Sequence, residues 1–470
     1  MKLWREWYRC VSALRASCSR SASFAWMLVA LAGLTIRTDL LGVTSIVRAL
    51  ALWPSTYPRL LHMFHSNALN LDLLTRSWVD LVFRLFRAVT FHDRVVLIVD
   101  GIKVAKEGRR MPGVKRLHQS SGNNSKPPYI RGHSFEAVSL LVENPCSGGY
   151  GAIPLLSRIQ EGVEYGPGKK RSLLDKCMDM MLPLTQVLKR HVYMVADAYY
   201  ASRKIIDPLL AHEHHLVTRV RTNAVAYKVP AKGTARRRRG RPRTYGAKVL
   251  LRSIASGSRG YTKAGSPLSD EAGEEILYRH MDLIWMPVKR VVRFVVVKHP
   301  IRGTIVLLST DLDLEPLEIL TLYASRFKIE YGFRQAIHTL GSYAYHFWMK
   351  GMDRLPRNPK DQILHRKSKR YRDKVARKID AYHRFVQLGC IAQGLLLHLG
   401  LNRSKQVWRG FKGWLRTENR NAAPSEWVVA TSLRDTLPAF LRNTPGGLPF
   451  VKNLRLLTDR KRCPRCRRCA

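Results

Sequence analysis

Arg94-Val95-Val96-Leu97-Ile98-Val99-Asp100-Gly101 and His191-Val192-Tyr193-Met194-Val195-Ala196-Asp197 are the two stretches whose reading decides the fold. Each is an unbroken apolar run of strand length, rich in β-branched residues, as in strands buried on both faces. Each is followed by an aspartate, so the reading places Asp100 and Asp197 at strand ends. Ligands of open α/β sheets bind beyond the carboxyl ends of strands. Two carboxylates converging there suit a hard cation, because Mg²⁺ takes one or two carboxylates per ion and leaves its other positions to water and phosphate oxygens. Two such ions about 3.5–4 Å apart clamp the attacking and leaving oxygens of a phosphodiester. Taken singly, either aspartate is more simply a cap for the turn after its strand.

Outward from these runs the chain keeps an α/β order. A loop rich in Gly, Asn, Ser and Pro covers residues 107–132, and strands are expected over 135–142 and 152–159. Helical spacing over 172–188 and 202–212 brackets the second buried run, and a strand follows over 216–220. Further strands are expected at 291–298 and 304–309, then one long helix from Glu315 to about Ala344. On that helix, Tyr323, Arg326, Glu330 and Arg334 fall on one face at about 100° per residue. Such a face offers one carboxylate to a metal and two guanidiniums to phosphates. Alone, it also reads as a solvated face with an Arg–Glu ion pair.

Asp100, Asp197 and Glu330, the last within Tyr323-x2-Arg326-x3-Glu330, together resemble the catalytic triad of DDE transposases. The match is closest to the bacterial insertion-sequence group with the signature Y-x2-R-x3-E-x6-K, insertion-sequence family four. Asp197-Ala198-Tyr199-Tyr200 is similar to that group's second-carboxylate motif, and the resemblance spans residues 94–344. It implies an RNase H-like mixed-sheet α/β core with a β-rich basic insertion, flanked by helical N- and C-terminal regions. The gaps of 97 residues between the aspartates and 133 from Asp197 to Glu330 suit that plan.

By the same resemblance, Asp100, Asp197 and Glu330 hold two Mg²⁺ ions, replaceable by Mn²⁺. Water then cleaves the element end, and the freed 3′-OH joins it to target DNA. Tyr323 and Arg326 position the phosphate backbone, with Arg219 and Arg221 in a similar role. The signature's final Lys is replaced by Ile337, for which Arg334, one turn earlier, is the candidate substitute.

Between residues 228 and 263 there are 12 Lys/Arg and no Asp/Glu, including the run Arg236-Arg237-Arg238-Arg239-Gly240-Arg241-Pro242-Arg243. This tongue cannot pack in a core. Arg239 and Arg241 flank the glycine of an R-G-R-P element that fits a narrow minor groove, or simply neutralises phosphate. Trp285 is either a base-stacking residue or, more simply, a core residue. His118 and His133 flank the 107–132 loop and suit Mg²⁺ poorly.

The expected organisation is a helical, DNA-end-binding region over 1–90, a catalytic core over 91–345 with its insertion at 224–290, and a basic helical region over 346–470 for dimerisation or DNA contact. Within the first region, apolar spacing predicts two short helices across the Trp53-Pro54 break, the second capped by Ser55 or Thr56.

Composition agrees. Lys+Arg is 81 against Asp+Glu 34, a formal charge of +47 on 470 residues. A body this basic repels itself and calls for a polyanion, which excludes an ordinary neutral or acidic metabolic enzyme. The 46% hydrophobic content excludes a disordered chain. The run Phe24–Ile36 is shorter than the roughly 20 residues of a membrane span and reads as a buried helix. Five scattered cysteines suit a reducing compartment, and Cys463, Cys466 and Cys469 lack the fourth ligand of a zinc site.

The resemblance, in line with this charge, implies double-stranded DNA as partner, element ends and target, met by a homodimer in the cytoplasm at the nucleoid, with no membrane and no nucleotide cofactor. The rival reading is a catalytically inactive, decayed or regulatory DNA-binding relative.

Overall fold

The computed structural model describes residues 2–119, 127–146, 148–167, 171–230, 243–268, 271, 273–444 and 448–458. Arg239, Arg241 and the Cys463–Cys466–Cys469 group lie outside the described residues. In chain order the elements used below are α1 (Lys2–Ser12), α2 (Ser21–Ile36), α3 (Leu71–Leu85), β1 (Arg94–Ala105), β2 (Tyr129–Asn144), β3 (Gly149–Ile159), α4 (Leu173–Leu188), β4 (Val192–Ala196), α5 (Arg203–Ala211), β5 (His215–Val220), β6 (Glu275–Trp285), β7 (Arg290–His299), β8 (Gly303–Ser309), α6 (Pro316–Ser325), α7 (Phe327–His338), α8 (Lys369–Asn402), α9 (Glu426–Asn443) and α10 (Pro449–Thr458).

The chain divides into two compact units. One comprises residues 88–100 and 171–329, the other residues 1–87, 101–170 and 330–470. In the first, Val95–Val99 and Val192–Ala196 are all buried, and the two strands pair in parallel with Val95 opposite Val192 and Ile98 opposite Val195. β5 joins β4 in parallel. Beyond β5 the sheet turns antiparallel through β8, β7 and β6. α4 starts on a capping box in which Ser172 and Asp175 satisfy each other's backbone N–H. Lys204 of α5 donates to both side chains.

In the second unit β2 pairs antiparallel with β3, and residues 101–105 of β1 lie beside β2, where a side chain on Gly132 would meet the Val104 carbonyl. Within this unit the order is β3–β2–β1, and within the first it is β1–β4–β5; the mixed sheet is that of an RNase H-like core. α8 packs on β3, α2 and α3. Gln387 of α8 donates to the Leu155 carbonyl and Trp78 of α3 to that of Pro154, both on β3. Trp4, Trp7, Phe440 and Phe450 cluster where α1, α9 and α10 meet. α2 is the expected buried helix. α8 is long and apolar enough to cross a membrane, but 83% of its apolar window is buried inside the protein.

Several sequence expectations are corrected. β1 does not end at Asp100 but runs on to Ala105. After Asp100 its burial changes from both faces to alternation, with Ile102 buried and Gly101 and Lys103 exposed, so the grammar of the strand changes without the strand ending. The long helix expected over 315–344 is two helices. Ser325 donates its hydroxyl to the Leu322 carbonyl, and the Arg326 N–H turns to Tyr323 O, three residues back. This side-chain bond competes with the helix ladder and tightens it at Arg326.

α7 stops at His338 because Gly341, at φ +60°, closes the turn with Ser342 N donating to Ala336 O. Thr56 does not cap the following helix; its hydroxyl donates to Trp53 O instead. The loop expected over 107–132 contains a strand at Lys115–His118 and the start of β2.

Gly394 of α8 lies under the Trp78 ring, where an added Cβ would sit 2.3 Å from a ring carbon. Gly394→Ala is therefore expected to destabilise this unit by about 1–3 kcal/mol through overpacking, read as a lowered urea midpoint. Gly351→Ala, in open space, should leave the midpoint within about 0.5 kcal/mol of wild type.

Candidate active site

Paired strands carry the two aspartates to one place. The β1–β4 register runs from Val95 opposite Val192 to Ile98 opposite Val195. Asp100 and Asp197 each lie two residues beyond that last pair, and Asp197 keeps an extended backbone at φ −77°, ψ 179°. Neighbouring strands are about 4.8 Å apart, and residues level in a parallel pair face the same side. The two aspartates therefore lie level with each other just beyond the paired residues.

Each is held by named partners. Asp100 Oδ2 accepts from Arg326 Nη1 at 2.9 Å, with both side chains about four-fifths shielded (20% and 18% exposed). Asp197 caps the short turn Ala198–Tyr200, its Oδ1 accepting from Tyr199 N at 2.8 Å. Its carbonyl accepts from the buried Thr218 hydroxyl at 2.7 Å. The capping role expected for a lone aspartate is thus real for Asp197, and leaves Oδ2 beyond that bond.

Arg219 follows Thr218, which pairs with Ala196 across β4–β5, so Arg219 is level with Asp197, and it is exposed. Tyr323, one turn before Arg326, sits in the field of the same groups. Burial raises its hydroxyl above the usual tyrosine range, Arg326 and Arg219 pull it back, and Asp197 pushes it up again. Asp100, Asp197, Arg219, Tyr323 and Arg326 thus form one cluster. Its two carboxylates offer oxygen donors, the chemistry of a hard divalent cation rather than a soft one.

Glu330 lies in the first turn of α7, half-buried, and begins the second unit. Arg334 is exposed one turn later, and Ile337 is half-buried on the same helix. Trp285 is 7% exposed, a core residue. His133 is fully buried, bonded to the Tyr345 hydroxyl and the Pro112 carbonyl, which removes it from any surface site.

Sequence reasoning missed Thr218, whose part is visible only through the strand pairing. It also missed the group Glu6, Cys10 and His398, whose donor atoms lie within 4.8 Å of one another. That group reads as an ion-pair network. Burial would raise the Glu6 carboxyl, but hydrogen bonds from Arg9 and His398 bring it down to about 2. Burial pushes the Cys10 thiol up to about 11, and a thiol that stays protonated is a poor metal ligand.

Removing the Thr218 hydroxyl isosterically should leave the Asp197 carbonyl without its buried donor. Thr218→Val is expected to cost about 1–3 kcal/mol, seen as a lower unfolding midpoint, whereas Thr218→Ser should stay near wild type. Equal stability of the two variants would remove Thr218 from the support of Asp197.

Among known proteins, the chain matches the family described as DDE superfamily endonuclease over residues 13–259, more than half its length. The matched span contains Asp100 and Asp197 and ends before Tyr323, Arg326 and Glu330. No curated protein matches the chain.

Proposed function

This chain belongs to the DDE superfamily endonucleases, and we propose that within the superfamily it is a DNA transposase that cuts the ends of an insertion sequence and joins them to target DNA. The observation that carries the reading is the β1–β4 register, which sets Asp100 beside Asp197 within a chain of net charge +47. Glu330 is the proposed third carboxylate, on the signature it shares with Tyr323 and Arg326.

Asp100, Asp197 and Glu330 would hold two Mg²⁺ ions, with Mn²⁺ as substitute. When bound, such ions activate water and stabilise the leaving 3′ oxygen of a phosphodiester. The chain's own groups do the rest. Arg326 holds the Asp100 carboxylate in orientation through a charge-assisted hydrogen bond, and presents its remaining donors to a phosphate.

The Tyr323 hydroxyl, raised above its ordinary range, stays protonated and donates to a phosphate oxygen. Arg219, exposed beside Asp197, neutralises the backbone. Arg334 does so from α7, and Arg239 and Arg241 from the basic tongue. The reaction needs no covalent protein intermediate, so no Ser or Tyr nucleophile is assigned. A homodimer pairing two ends, acting in the cytoplasm on nucleoid DNA, completes the proposal.

A second reading rests on one specific residue. Ile337 stands where the signature has Lys, so an inactive, decayed or regulatory DNA-binding relative is the alternative.

The test is strand cleavage of DNA carrying the gene's own flanking ends, with Mg²⁺, Mn²⁺ or EDTA. Asp100→Asn, Asp197→Asn and Glu330→Gln are each expected to lower metal-dependent cleavage by about 10³-fold or more, on the order of 4 kcal/mol. Binding should stay within a few-fold or tighten as a negative charge leaves the phosphate site. Tight binding without cleavage under any metal, rescued by Ile337→Lys, would establish the alternative. Full activity of Asp197→Asn would overturn both.

A further inference from the structure

The segment after α8 carries an aromatic and basic surface that the site above does not use. Residues 403–420 hold six Lys/Arg against one acid, Glu418, and Glu418 is already paired with Arg420 at 3.1 Å. In the same segment Trp414 is 81% exposed, and Trp427, at the start of α9, is 42% exposed. Tryptophan is highly buried on average, so two indoles standing in solvent among cations mark a surface made for a partner.

The display is built, not loose. Phe411 meets Trp427 edge-on at 5.9 Å and Trp408 edge-on at 5.9 Å. The backbone bearing them lies tight on α9. A Cβ on Gly410 would sit 2.5 Å from the Ser432 hydroxyl, and one on Gly413 3.5 Å from the Thr431 methyl, both on α9. Lys412 N donates to Asp435 of α9 at 3.2 Å. Gly410 has no room for a side chain without moving α9 groups, and with the Lys412–Asp435 bond it holds the turn that carries Trp414 against the helix.

We infer that this surface binds unpaired bases of a DNA strand, Trp414 and Trp427 stacking on bases while Arg409, Lys412 and Arg416 follow the phosphates. Aromatic faces flanked by cations are the chemistry of single-strand recognition. A second copy of this chain fits less well. A two-fold contact would lay the same cationic strip on itself, and like charges facing each other oppose association. The inference rests on the reading above only in taking DNA as the polyanion.

The experiment uses the full chain and fluorescence-labelled oligonucleotides: oligo-dT, an abasic strand of equal length, and a duplex. Wild type is expected to bind oligo-dT more tightly than the abasic strand. Trp414→Ala should reduce that preference about ten-fold and leave abasic-strand affinity unchanged. Trp414→Phe should keep most of it, and equal melting midpoints verify that both variants fold. Arg416→Gln should weaken binding to both strands and flatten the salt dependence.

An unaltered base preference in Trp414→Ala overturns the inference. So does a change in sedimentation mass with the preference intact, which would assign the surface to self-association. Asp197→Asn should retain the preference, so loss of cleavage and loss of base recognition are read separately.

Discussion

The parallel pairing of two fully buried strands in a single register is the constraint on which the candidate site depends. Val95–Val99 and Val192–Ala196 are both five residues long, both buried on two faces, and both followed at once by aspartate. Slipping one strand by a residue would draw a carboxylate into the interior, where an unpaired charge costs several kcal/mol, and would leave a valine or alanine outside. Equal apolar lengths therefore fix the register, and the register fixes the carboxylates. The neighbouring groups build on that alignment: Thr218 fastens the Asp197 backbone from β5, and Arg326 meets Asp100 from the end of α6.

This explains which parts were legible in the sequence. Continuous apolar runs announced β1, β4 and β5, and the aspartates after them marked the site. The polar strand β6, Glu275–Trp285, falls in the β-rich insertion that the resemblance implies but has no strand pattern of its own, because Tyr278, Arg279, His280 and Asp282 interrupt any alternation. It is a strand because its neighbour β7 pairs with it over nine residues, which is a tertiary fact. Asp100 looked like a strand end because Gly101 follows it, yet a glycine can also stand inside a strand, and β1 runs through Gly101 to Ala105.

The break at Arg326 was illegible for another reason: a serine within a helix gives no sign of whether its hydroxyl will bond back to the ladder. Gly341, by contrast, was an ordinary stop signal, and the long-helix reading ran past it. The pairing of Asp100 with Arg326, 226 residues apart, lies beyond any local pattern.

The second unit uses cations in an unexpected place. Arg37 and Arg384, 2% and 4% exposed, have no bonded carboxylate among the described residues. Arg37 donates to the carbonyls of Leu340, Gly341 and Gly42, and Arg384 to those of Leu69 and Phe64. Lys106 is buried against the Tyr345 ring, donates to the Tyr343 and Tyr345 carbonyls, and has its amine pushed down to about 7 by burial. Each closes backbone acceptors that a turn or helix end would otherwise leave open.

These interior cations hold no condensed ion atmosphere and can displace none from a duplex. The formal charge of this chain therefore overstates its electrostatic reach. The ions liberated when it meets DNA measure only the charges that solvent can see, and a guanidinium enclosed by carbonyls belongs to the architecture, not to the field around it.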